Sequence, residues 1–161
     1  MKQIFMYLVM ALTSCSTENP VVFSEKALND TFITQDSKKI RFEQIINQYK
    51  GKKVVIDVWA SWCGDCIKGM PKLQQLQQDF PEVVYLFLSL DYTIDEWKFG
   101  IKKYQVQGAH YLMQSGWKGD FGSFLGLDWI PRYIVIDETG EIAVFKAVHA
   151  DDERILGALK N

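Results

Sequence analysis

Trp59-Ala60-Ser61-Trp62-Cys63-Gly64-Asp65-Cys66 (WASWCGDC, residues 59–66) sets two cysteines two residues apart, at the end of an apolar run. That run, Lys53 to Ala60 (KVVIDVWA), is β-branched and apolar for most of its length, the pattern of a strand buried on both faces. Beyond the cysteines, Ile67, Met70, Leu73, Leu76 and Phe80 recur at helical spacing, which predicts a helix that stops at Phe80-Pro81. Strand, dithiol and helix in that order put Cys63 at a helix N-terminus, where unpaired N–H groups and the helix dipole favour thiolate over thiol. Disulfide exchange proceeds by thiolate attack, so Cys63 is expected to be the exposed nucleophile. Cys66, one turn further in and more buried, is expected to resolve the mixed disulfide.

Other chemistries for the pair are weaker. A bridge across two residues constrains little of the unfolded chain, so it makes a poor structural staple. Structural zinc needs about four ligands, and only His110 and His149 are left to complete a set. Neither shows ligand spacing, so no metal is expected. No Gly-x-Gly-x-x-Gly loop is present, and the cysteines are the only redox centre; no cofactor is called for. With a net charge of −2 and both signs interspersed, nothing favours a nucleic-acid partner.

The 161 residues, 48% hydrophobic, suit one globular domain. The first fifteen read differently. Lys2 precedes an apolar run from Ile4 to Leu12, far shorter than the ~20 residues that span a bilayer, and this reads as the core of a secretory signal. Leu12-Thr13-Ser14-Cys15 resembles the bacterial lipobox, whose cysteine is acylated and begins the mature chain. The competing reading is an ordinary signal peptide with an incidental cysteine. The lipobox reading makes residues 1–14 a signal, 15–25 a tether and 26–161 the domain, anchored by lipid to a membrane of the cell envelope or periplasm. Cys63 and Cys66 are then an isolated pair outside the cytoplasm.

Further strands are predicted at Val83–Leu90 and Tyr133–Asp137, the latter joined through Glu138-Thr139-Gly140 to Glu141–Lys146 as a hairpin. Helical patterns cover Ile94–Tyr104, Asp151–Lys160 and, more weakly, Phe42–Tyr49. The alternation implies an α/β fold with a mixed sheet covered by helices.

Asp57 to Cys66 (DVWASWCGDC) resembles the active-site segment of the thioredoxin superfamily. The likeness extends to Pro71, which matches the kinking proline of the family's active-site helix. Ile130-Pro131, before the strand Tyr133–Asp137, resembles its cis-proline segment; an ordinary trans proline at a strand start is the competing reading. The length between Asp91 and Pro131, the tract Tyr49–Lys53 and the exported N-terminus look most like the TlpA/ResA branch of thiol–disulfide oxidoreductases. The resemblance covers roughly Val22 to Asn161. It implies a thioredoxin-like mixed sheet flanked by helices, with an insert (92–130) before the cis-proline strand.

It also implies a reductase of disulfides in other envelope proteins, apocytochromes c included, fed by an upstream membrane thiol donor. Asp57 would be the buried acid that exchanges a proton with Cys66, unless it sits solvated at a strand edge. Ile130 and Pro131 would bind extended substrate beside Cys63, with Trp62 as an apolar platform over the site and Trp59 as core. The sequence departs from thioredoxin at Gly64-Asp65, where thioredoxin has Gly-Pro, and at Phe87, where it has a buried lysine. Asp65 opposes negative charge on Cys63, which should raise the thiol's pKa and make the pair more reducing, unless Asp65 is simply solvated. His110, Trp117 and Trp129 in the insert carry no assigned role. Two rival functions remain: a peroxiredoxin-like peroxidase, although no proline precedes Cys63 in the required way, and a copper- or zinc-binding envelope module.

Overall fold

The structure, a computed structural model, describes residues 19–161. The expected signal segment and Cys15 lie outside the described residues. In chain order, the structure begins with α1 (Glu25–Asn29), the short hairpin strands β1 (Thr31–Ile33) and β2 (Lys39–Arg41), and α2 (Phe42–Asn47). The central βαβ unit follows: β3 (Val54–Trp59), α3 (Gly64–Asp79) and β4 (Val84–Ser89). The insert holds α4 (Ile94–Tyr104), β5 (Ala109–Leu112), a 3₁₀ turn at Gly116–Lys118 and α5 (Asp120–Phe124). The chain closes with β6 (Arg132–Ile136), β7 (Ile142–Ala147) and α6 (Glu153–Lys160).

The strands form one seven-stranded sheet in the order β2-β1-β5-β4-β3-β6-β7. All six residues of β3 are buried, as its unbroken apolar run requires, and it lies between parallel β4 and antiparallel β6. The predicted hairpin forms: Asp137 Oδ1 accepts from the N–H groups of Thr139 and Glu141, and Gly140 supplies the positive φ of the turn. Helix α4 starts with a capping box, Thr93 and Glu96 bonding reciprocally, and its last turn carries Lys102 and Lys103.

The insert is part of the sheet. β5 extends it beside β4, and β1 joins β5 through Ile33 and Leu112. Phe23, which sequence reading leaves in the tether, is buried with Phe42 at 4.9 Å, Phe121 at 6.1 Å and Phe124 at 5.4 Å between ring centroids. The N–H of Ile142 also donates to Val21 O, which ties this segment to β7.

A buried carboxylate fastens the same junction. Asp30 Oδ2 accepts from Ser115 Oγ and from the N–H of Phe121, both at 2.8 Å, and Oδ1 accepts from the N–H of Thr31 at 2.7 Å. Replacing it strands a buried N–H at Phe121. Asp30→Ala should therefore lose about 2–3 kcal/mol of stability in urea denaturation; a change below about 0.5 kcal/mol would show that these bonds do not hold the insert.

Candidate active site

The loop between β3 and α3 carries the dithiol. Cys63 is the N-cap of α3, its N–H donates to Ala60 O, and its Sγ accepts from the N–H of Cys66 at 3.1 Å. Cys63 and Cys66 are joined by a disulfide. When the bond is reduced, that N–H and the first-turn dipole stabilise a thiolate on Cys63.

Cys63 is not exposed as expected: it is 5% accessible and Cys66 1%, so the order of the two holds but both are buried. The cover comes from the walls of a cleft of about 420 Å³, formed by Trp62, Trp117, Trp129 and Ile130 around Cys63. Two of these tryptophans belong to the insert, and sequence reading gave neither a role. Trp62 is 44% exposed and Trp129 60%, so both present faces to an incoming chain. Trp59, by contrast, is fully buried core.

The Ile130–Pro131 peptide is cis, and Ile130 O lies 3.6 Å from Cys63 Sγ. The disulfide sulfur has no proton to give, so this contact becomes a hydrogen bond only with a thiol. Gly64 has open space beyond its Cα, and Asp65 pairs with Lys68 at 3.5 Å with both side chains solvated, a weak interaction.

The loop is anchored by residues that sequence reading missed. Asp91, buried just past β4, accepts from Ser61 Oγ at 2.6 Å, from the Ser61 N–H at 3.1 Å and from Ser89 Oγ at 2.7 Å. Tyr92 stacks on Trp62, with ring centroids 5.7 Å apart. Helix α4 closes on the loop so tightly that a Cβ on Gly100 would stand 2.3 Å from Ser61 Cβ. One signal was available: an acid ending an apolar strand, as Asp57 interrupts another.

Asp57 is 2% exposed on the central strand, so the solvated-edge alternative fails. Side chains of directly opposed residues share a sheet face. Phe87 is therefore its neighbour on β4 and Tyr133 its neighbour on β6, and Phe87 leaves the acid no cation there. Its Oδ1 is buried without a hydrogen-bond partner among the described residues. Burial pushes the Asp57 carboxyl up to about 8, partly opposed by the Tyr133 hydroxyl, which favours the carboxylate. At neutral pH it is an acid with a proton to give.

His110 stands away from the cysteines, stacked on Phe87 at 5.1 Å with Nε2 3.0 Å from Val106 O. Burial lowers its pKa and keeps it neutral. His149 lines a second cleft of about 490 Å³, which shares Asp65 and Trp129 with the first.

Comparison with known proteins agrees with this geometry. The family described as Redoxin matches residues 24–159. Thiol-disulfide oxidoreductase ResA of Bacillus cereus is 25% identical over 128 residues, 79% of this chain and 70% of that protein. Thiol:disulfide interchange protein DsbE of Haemophilus influenzae is 28% identical over 135 residues, 83% of this chain and 67% of that one. Among solved structures, a thiol-disulfide oxidoreductase from Bacteroides fragilis superposes with a TM-score of 0.68 at 19% identity, covering 84% of this chain and 98% of that one. That last likeness establishes the thioredoxin-like fold.

Proposed function

We propose, from the premise that this chain belongs to the Redoxin family and is a thiol–disulfide oxidoreductase of the ResA/DsbE type, that it reduces disulfides in other proteins of the cell envelope. The observation that carries this reading is the dithiol pair itself: Cys63 caps α3 and takes the Cys66 N–H, inside a tryptophan-lined cleft.

In the reductive direction, the Cys63 thiolate attacks a substrate disulfide, forming a mixed disulfide and releasing the first substrate thiol. Cys66 then attacks Cys63 Sγ, and its proton leaves with the second substrate sulfur, which departs as a thiol. The protein is left oxidised. A donor thiolate, supplied from a membrane partner, attacks Cys63 and reverses the cycle, with protonated Asp57 giving its proton to the departing Cys66 sulfur.

Trp62, Ile130 and Pro131 bind the substrate backbone and its apolar flanks, while Gly64 and Asp65 tune the potential. Asp65 opposes charge on Cys63 and favours reduction of others. A lipid on Cys15 and residues 15–20 as its tether hold the domain to the membrane, since Val21 and Phe23 are already bound to the domain, and apocytochromes c are one class of substrate. The test is the reduction potential of the domain in dithiothreitol and glutathione buffers, read by thiol counting. A value near or below the ~−270 mV of thioredoxin is expected; one approaching the ~−120 mV of DsbA overturns the reductase assignment.

A further inference from the structure

The proton that Asp57 gives to Cys66 must be replaced from water, yet Asp57 is sealed in the sheet with Phe87 on one side. Its other cross-strand neighbour is Tyr133, buried like the acid. The Tyr133 side chain reaches the floor of the second cleft, which Lys68, Gly69, Lys72 and His149 also line. A Cβ built on Gly69 would stand 3.8 Å from the Tyr133 hydroxyl. Glycine is a poor residue for a helix interior. At position 69 of α3 its missing side chain leaves a gap above that hydroxyl.

We propose that Tyr133 relays protons between Asp57 and water in this second cleft, through the gap at Gly69. This rests on the role given to Asp57 above. The relay conserves charge on the tyrosine. As the donor thiolate bonds to Cys63 Sγ and the Cys63–Cys66 bond breaks, the Cys66 sulfur leaves with the electron pair and takes the Asp57 proton. The Asp57 carboxylate then takes the Tyr133 hydroxyl proton while that oxygen takes one from water. Tyr133 is never left as a tyrosinate, because burial and the Asp57 charge raise its pKa above the usual tyrosine value.

The other ionisable groups about this route are identifiable. Lys68, Lys72 and Asp65 belong to α3, and Arg132, paired with Asp128 at 3.0 Å, belongs to β6. His149 and Asp151 come from the segment after β7, with Asp151 held by Lys72 at 2.6 Å. Neighbouring Phe87 on β4 contributes no charge.

The experiment is the reduction of the oxidised protein by excess dithiothreitol, followed by tryptophan fluorescence in stopped flow. Rates are expressed per donor thiolate between about pH 6 and about pH 10. The wild-type rate should hold until Asp57 ionises near the value of about 8 and then fall. Tyr133→Phe should slow the reaction about tenfold and move the fall to higher pH, because the hydroxyl that favoured the carboxylate is gone. Gly69→Leu keeps that hydroxyl and covers the gap, so it should slow the reaction with the fall unmoved. Asp57→Asn should be slow and lack the fall.

A wild-type rate and fall in Tyr133→Phe overturn the relay, whatever the Gly69 variant does. If Tyr133→Phe does not fold, a wild-type rate in Gly69→Leu overturns it instead. Should Asp57→Asn also retain the fall, the acid itself is excluded and the relay goes with it. If Asp57→Asn loses the fall while Tyr133→Phe keeps both the wild-type rate and the wild-type fall, the reading of the site stands and only the relay is lost.

Discussion

Cys66→Ser should stall the protein as a covalent complex with its substrates. The Cys63 thiolate still forms at the head of α3, since the Cys66 N–H that supports it is backbone. No second sulfur remains to release the mixed disulfide. Turnover should fall by roughly three orders of magnitude or more, and the double variant with Cys63→Ser should be no slower, since the two residues act as a unit. Mass spectrometry of the purified variant, without reductant, should find adducts on Cys63. Adducts formed by Cys63→Ser through Cys66 would reverse the assignment of the two sulfurs. Burial already argues against that order, with Cys66 the more enclosed.

Asp57→Asn should make the protein slower and sturdier at once. The Asp57 carboxyl titrates at about 8 when folded against an ordinary value of 3.8. Between these values the unfolded chain has lost the proton and the folded one keeps it. Stability from this group is therefore full below about pH 4 and is lost as pH climbs through about 8. The loss amounts to on the order of 5 kcal/mol at alkaline pH, lessened by whatever a buried amide leaves unpaired in the variant. Urea denaturation at about pH 5 and about pH 9 should find Asn gaining most on wild type at the higher value. A gain that does not change with pH would mean that Asp57 is not held protonated by the fold. In the role proposed for Asp57, the same substitution removes the proton that Cys66 needs, so the gain in stability should accompany a loss of rate.

The parts legible in the sequence share a physical property: their signal is local. β3 declared itself by six consecutive buried side chains, and α3 by its apolar stripe. Helix α4 was found at Ile94–Tyr104, where a capped start and an apolar stripe coincide. The strands β1, β2 and β5 were not found, being three or four residues long and defined by partners far away in sequence. The site divides the same way. Cys63, Cys66 and Asp57 stand out because a thiol pair and a lone acid break an apolar run. Tyr133, Asp91, Trp117 and Trp129 look like ordinary residues until register and packing set them beside the reacting atoms. Tyr133 gains meaning only once β6 is known to lie against β3, opposite Asp57.

Trp129 and Asp65 line both clefts. In the relay proposed above, electrons enter through one cleft and protons through the other. A polypeptide laid across Trp62 and Ile130 covers the cleft at Cys63, while Lys68, Lys72 and His149 line the other one. On that relay, acid–base balance at Cys66 is settled while the partner remains docked, and release need not precede the completion of exchange.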